Sequence, residues 1–139
     1  MPFVNVERLP GEPIFITTYE GLVTAADIIA SYEAAPSLWT DDLAQTGFHV
    51  IIDARRATTN FTEALASLRP SAEYAQKYAE YVPHIRYYVV GTGAMVKLMV
   101  NFFHLAQFGG FEIPLYTELD DALKAARFAF QQHHPHSAH

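Results

Sequence analysis

Short apolar segments recur along the chain at spacings that distinguish strands from helices. Two β-rich segments, 3–8 and 14–19, flank a segment rich in Pro and Gly and predict a β-hairpin. Apolar, β-branched runs at 48–53 and 85–90 predict strands covered on both faces, as parallel strands are. A last, short strand is expected at 111–116, and its Pro114 favours an edge position.

Helical periodicity predicts four helices that follow these strands. Thr24 and Asp27 have the spacing of an N-terminal capping pair, and Pro70 should interrupt or restart the second helix. In chain order, the predicted helices begin at Thr24, Phe61, Ala94 and Leu119 and end at Pro36, Pro83, the pair Gly109-Gly110 and Phe130.

The alternation of strands and helices predicts an α/β fold. It favours an open, mostly parallel sheet with an N-terminal hairpin and about four helices. The chain has 139 residues, which suits one domain. We place that domain at residues 1–130 and expect the polar, His-rich tail 131–139 to be disordered.

Composition and charge narrow the classes of function. The chain has no cysteine, which excludes disulfides, thiolate metal sites and cysteine nucleophiles. Nine basic against fifteen acidic residues give a net charge of −6, so nucleic acid is not an expected partner. The N-terminus does not resemble a signal peptide, and Lys97 and several polar residues interrupt the longest apolar stretch, 89–111. We therefore expect a cytoplasmic protein without a membrane span.

Several short segments resemble one known group, the STAS or SpoIIAA-like domains related to bacterial anti-sigma factor antagonists. The similarity covers about residues 3–130 and implies their α/β fold and a role as a small binding or regulatory module. Besides the opening hairpin, it is carried by Tyr19-Glu20-Gly21-Leu22-Val23-Thr24, Ile51-Ile52-Asp53, Tyr88-Val89-Val90-Gly91 and Glu118-Leu119-Asp120-Asp121-Ala122-Leu123.

The chain departs from this group at the position of its phosphorylation switch. In the switched members, an Asp-Ser dipeptide with a nearby glycine follows the strand that corresponds to 48–53. Residues 53–62 here contain neither serine nor glycine, and Thr58 and Thr59 are the nearest hydroxyls. The resemblance is therefore to the divergent branch without the phosphorylatable serine, and the two threonines are only weak candidates for a switch.

Polar residues after the predicted strands form a candidate ligand crevice, because ligands of open α/β sheets bind at the carboxyl ends of the strands. Its chemistry stays open: a lipid, a nucleotide at the two-glycine turn, or a hydrolase or isomerase reaction that uses Asp53. A structural role, in which Asp53 pairs with Arg55 or caps a helix, is the simpler interpretation. The crevice candidates are Glu20, Asp53, Arg55, Gly91, Thr92 and Gly93.

The helix predicted at 94–108 carries more apolar surface than one contact requires. Its flank is a candidate interface for a homodimer, a protein partner or an apolar small molecule. The interface candidates are Val96, Met99, Val100 and Phe103.

Taken together, the sequence favours a non-catalytic binding or regulatory module that associates with itself or with another protein. No nucleophile elbow, P-loop or complete dinucleotide-binding motif is present, so we predict no enzymatic activity and no cofactor. Four of the seven histidines lie in the tail without fixed spacing, so we predict no metal site. Binding of a small ligand in the crevice is the alternative function.

Overall fold

The computed structural model describes residues 3–82, 84–105 and 112–133 of the chain. Five strands form one sheet: β1 Phe3–Arg8, β2 Ile14–Leu22, β3 Phe48–Thr58, β4 Ile85–Val90 and β5 Leu115–Tyr116. Five helices accompany it: α1 Ala25–Ala34, α2 Asp41–Thr46, α3 Phe61–Tyr81, α4 Ala94–His104 and α5 Leu119–His133, with a 3₁₀ turn at Ala35–Leu38. The predicted α/β class, with a mostly parallel sheet and an antiparallel N-terminal hairpin, is confirmed.

The strands lie in the sheet in the order in which they occur along the chain. The three crossovers β2–β3, β3–β4 and β4–β5 therefore all step in the same direction across the sheet. Right-handed crossovers that step in one direction place their helices on the same face of the sheet. Helix α3 accordingly contacts both α1 and α4, whereas α5 packs on β3 and β4 from the opposite face.

The face under α5 holds one of two clusters of buried core residues, the other being formed by Phe15, Leu43, Phe48 and Val82. Ile14, Ile51 and Val90 project from three adjacent strands and are at most 1% exposed. Ala122 and Ala126 meet them from α5 and are fully buried. Because the two alanines lie four residues apart on one helix face, α5 approaches the sheet closely along its length.

Local sequence signals account for the hairpin and the first helix. The β1–β2 hairpin forms as predicted, and Leu9 donates a hydrogen bond to Ile14 across its turn. Thr24 caps α1 in the predicted manner: its backbone N–H donates to Asp27 Oδ2 at 2.9 Å, and its hydroxyl accepts from the Asp27 N–H at 3.3 Å.

The predicted boundaries of several elements were wrong. Pro70 lies inside a continuous helix α3, because buried residues of α3 on both sides of it, from Ala64 to Tyr78, hold the helix together. The predicted connection at 36–47 contains α2, and α5 runs through residues 131–133, which we had assigned to the disordered tail. Helix α4 ends at His104, before the predicted end at Phe108, because Leu105 adopts an extended conformation. Strand β5 covers only Leu115–Tyr116, so Pro114 precedes it and does not lie within it. The predicted stop at Gly109-Gly110 and the tail residues 134–139 lie outside the described residues.

Strand β3 shows the largest difference from the prediction. It continues five residues past Asp53 to Thr58, because β2 also extends and pairs with it as far as Leu22. Thr18 is opposite Asp53 and Glu20 is opposite Arg56, so that one residue of β2 faces two of β3 and the pair contains a β-bulge. The predicted crevice residue Asp53 therefore lies within the strand and not at its carboxyl end.

Candidate functional site

A cavity of about 400 Å³ lies between the sheet and the helices on its more heavily covered face. The sheet contributes one wall, α1 and α3 contribute a second, and α4 contributes the third. The residues of the sheet wall come from three adjacent strands and share one face: Tyr19, Ile52, Ala54, Tyr87 and Val89.

Helix α4 forms the most apolar wall of this cavity. The four residues predicted as an interface, Val96, Met99, Val100 and Phe103, all line it and are half-buried. Not one described residue of α4 is fully buried, because the side chains that face the sheet border the cavity instead of packed atoms. The apolar surface that the sequence placed on the flank of this helix is turned toward the interior of the subunit.

The closed end of the cavity is marked by its buried lining residues Tyr19, Ser71 and Ala75, each at most 7% exposed. This part of the lining contains hydroxyl groups but no charged side chain.

Three tyrosines near the closed end remain protonated. Burial raises the pKa of Tyr19 to about 12, against the opposing effect of its hydrogen bond with Ser31. Burial also raises the pKa values of Tyr32 and Tyr87 well above the ordinary value for tyrosine. This end of the cavity is therefore electrically neutral throughout the physiological pH range.

The open end is marked by exposed lining residues at the carboxyl ends of β3 and β4. Arg55, Thr92 and Gly93 are three of the predicted crevice residues, and all three line the cavity. Thr58 and Thr59 line it as well, and Thr59 donates a hydrogen bond to the Val23 carbonyl at 2.8 Å.

Arg55 is the only charged residue of the described lining, and its charge is already matched. Its Nε and Nη2 atoms each donate to the Asp53 carboxylate at 2.9 Å. Burial raises the pKa of Asp53, but the hydrogen bonds from the side chain and backbone of Arg55 outweigh this effect and hold the pKa below its usual value. A carboxylate held in this way is a poor general base.

The remaining crevice candidates do not join the cavity. Glu20 lies 3.7 Å from Arg56 in an exposed ion pair, and neither it nor Asp53 lines the cavity. Gly91 does not line the cavity, and a Cβ atom there would stand 3.2 Å from Val96 Cγ1, so a side chain at this position would crowd α4. Of the six crevice residues, the structure thus brings three together with the four interface candidates.

Sequence reasoning missed the residues of the closed end. Tyr32, Ser71, Ala75 and Tyr87 line the cavity but have no motif around them. No local signal in the sequence distinguishes them from the other buried residues of their elements.

The described lining of the cavity is mainly apolar, with hydroxyl groups and the single charged residue Arg55. No group of three or more His, Asp or Glu residues in the described part of the chain is arranged to hold a metal ion. Among the same residues, no helix is long and apolar enough to cross a membrane.

Comparisons with known proteins identify the fold. The sequence matches no protein-family model and no curated protein. Among solved structures, an anti-sigma factor antagonist from Mycobacterium paratuberculosis is 20% identical, with a TM-score of 0.58 over 91% of this chain and 95% of that chain. A DUF3478-family protein with a SpoIIAA-like fold from Shewanella loihica is 17% identical, with a TM-score of 0.54 over 90% and 93% of the two chains. The chain therefore has a SpoIIAA-like fold, and the resemblance found in the sequence is confirmed at this level.

Proposed function

We propose that the protein is a non-catalytic binding module that holds a neutral, largely apolar small molecule in the cavity between the sheet and α4. The observation that carries this proposal is the cavity itself, whose volume of about 400 Å³ lies within the range of small-molecule pockets. Its lining is apolar on the sheet and on α4, with a few hydroxyl groups at its closed end. Such a lining stabilises a ligand chiefly by removing apolar surface from water.

The charge distribution favours a lipid-like ligand over a nucleotide. A phosphate group at the open end could accept from the backbone N–H groups at the start of α4, beside Gly93, but it would also need a free cation to balance its charge. Arg55 is engaged by Asp53, and acidic Glu118 and Asp120 add to the negative potential around it. An anionic ligand would have to compete with these carboxylates, whereas a neutral one would not.

Fluorescence titration with the neutral dye N-phenyl-1-naphthylamine tests this proposal. We expect saturable binding to the full chain at one site. Val100→Phe places a ring in the cavity and should weaken binding at least tenfold. Asn101→Phe adds the same ring to the neighbouring exposed position, outside the cavity, and should leave the affinity unchanged. Equal affinity of Val100→Phe and the natural sequence would refute the location, and the absence of saturable binding would refute the function.

Protein binding, with a second copy of the chain as the partner, is a second candidate. It is supported by the fold shared with an anti-sigma factor antagonist and by an apolar surface at the start of α3. Phe61 and Leu65 lie one helical turn apart there and are 54% and 43% exposed. Single exposed apolar residues are common, but adjacent ones of this size favour a contact.

Light scattering at micromolar concentration tests this second candidate. A dimer is expected for the natural sequence and a monomer for Phe61→Asp, with the same melting temperature at low protein concentration. A Glu73→Asp variant, at an exposed position farther along α3, is the control and should remain dimeric. A monomeric natural chain would contradict self-association.

A further inference from the structure

The closed end of the cavity contains one buried hydroxyl that its own protein does not satisfy. Ser71 Oγ is the only buried side-chain oxygen or nitrogen atom of the described residues that lacks a hydrogen-bond partner. Ser71 is 1% exposed, lies in α3 and lines the cavity. A buried hydroxyl without a partner costs free energy that an alanine at the same place would not.

A second serine on the same helix shows that the helix itself does not impose this state. Ser67 lies one turn earlier and is equally buried, at 0% exposed. Its hydroxyl donates to the Ala64 carbonyl at 2.8 Å, and it does not line the cavity. Of two serines at the same depth on the same helix, only the one that borders the cavity is left unsatisfied.

The groups around Ser71 determine which ligand chemistry it suits. Burial raises the pKa of Tyr32, and the nearby Ser71 hydroxyl opposes a small part of this rise, but no hydrogen bond of ordinary geometry joins the two side chains. Burial keeps Tyr32 and Tyr87 protonated, and the one charged residue of the lining, Arg55, is at the open end. Hydroxyl groups both donate and accept, so this end of the cavity matches a neutral hydroxyl or carbonyl better than an anion.

We propose that the ligand enters the cavity with a neutral hydrogen-bonding group, a hydroxyl or a carbonyl, at its leading end, and that Ser71 binds this group. The inference rests on the proposed function and specifies its ligand class: an apolar body with a neutral polar head that is buried and not left at the open end. Ser71 thereby acts as a specificity-determining residue.

Displacement of N-phenyl-1-naphthylamine by matched eight-carbon probes tests the inference. The full chain should bind 1-octanol and 2-octanone more tightly than octane or octanoate. Ser71→Ala should weaken the binding of 1-octanol and 2-octanone by about three- to tenfold, which is the range for one net hydrogen bond. The same variant should leave the affinity for octane and for the dye unchanged, and it should not lower the melting temperature of the ligand-free protein.

Ser67→Ala is the matched control, and it should leave the ratio of octanol to octane affinity unchanged. If the dye binds and Val100→Phe blocks it, but Ser71→Ala does not change that ratio, the inference fails and the proposed function stands. Tighter binding of octanoate than of 1-octanol would also overturn the inference. If neither the dye nor any probe binds the natural chain, both proposals fail.

Discussion

Replacing Ala75 with leucine measures directly whether the space beside α3 exists in solution. Ala75 is 5% exposed and its methyl group faces the cavity. Leucine adds three carbon atoms, each worth about 0.8 kcal/mol when buried, and loses about 0.5–1 kcal/mol of rotamer freedom. We therefore expect Ala75→Leu to raise the free energy of unfolding by about 1.4–1.9 kcal/mol. For a chain of this size, the melting temperature should rise by about 5–7 °C.

Ala72 provides the matched control for this substitution. It lies on the same helix, is 4% exposed and does not line the cavity, so leucine there meets packed atoms. Ala72→Leu should lower the free energy of unfolding by about 1–3 kcal/mol through overpacking. Urea and thermal denaturation followed by circular dichroism distinguish the two results. If Ala75→Leu destabilises the protein as much as Ala72→Leu does, the space is not there and the reasoning behind the binding site is wrong.

Three further substitutions test contacts that hold the site in place. Asp53→Asn removes the carboxylate that Arg55 holds, and should lower the free energy of unfolding by about 1–2 kcal/mol at pH 7. The pKa of Asp53 is lower in the folded protein than in the unfolded chain. Its contribution to the free energy of unfolding is therefore present above the unfolded-state pKa and is lost as the pH falls through the folded-state pKa. Denaturation curves of the variant and the natural chain should converge below about pH 4. Thr24→Ala removes the cap of α1 and should cost about 1 kcal/mol in urea denaturation, and a cost near zero would show that the cap contributes nothing. Tyr78→Phe removes the hydrogen bond from the Tyr78 hydroxyl to the Tyr32 carbonyl and should also cost about 1 kcal/mol by thermal denaturation, whereas an unchanged melting temperature would place water on that carbonyl.

The sequence predicted the fold well where local signals determine the structure. The apolar run 48–53, the capping pair at Thr24 and the Pro/Gly turn of the hairpin each act over a few residues, and all three predictions are confirmed. The extension of β3 past Asp53 depends on pairing with β2 and on the β-bulge opposite Tyr19, neither of which leaves a local signal. The two adjacent charged residues, Arg55 and Arg56, favoured the prediction of a polar loop after Asp53.

The candidate site was predicted only in fragments. The sequence predicts an apolar surplus on α4, but periodicity alone does not tell whether such a surface faces outward or borders an internal space. Ser71 and Ala75 have no distinguishing neighbours in sequence, and their roles follow from the distance at which α4 lies from the sheet. That distance is a property of the tertiary structure alone.

The placement of α5 has a consequence for how the molecule can change. Ala122 and Ala126 complete a tightly packed layer on the side of the sheet that the cavity does not touch. The layer under α5 and the cavity thus lie on opposite faces of the sheet, so substitutions of the α4 residues that line the cavity leave the contacts of α5 unchanged. A library randomised at Met99, Val100 and Phe103 should retain a large fraction of folded members, which makes this chain a practical starting point for engineering new small-molecule receptors.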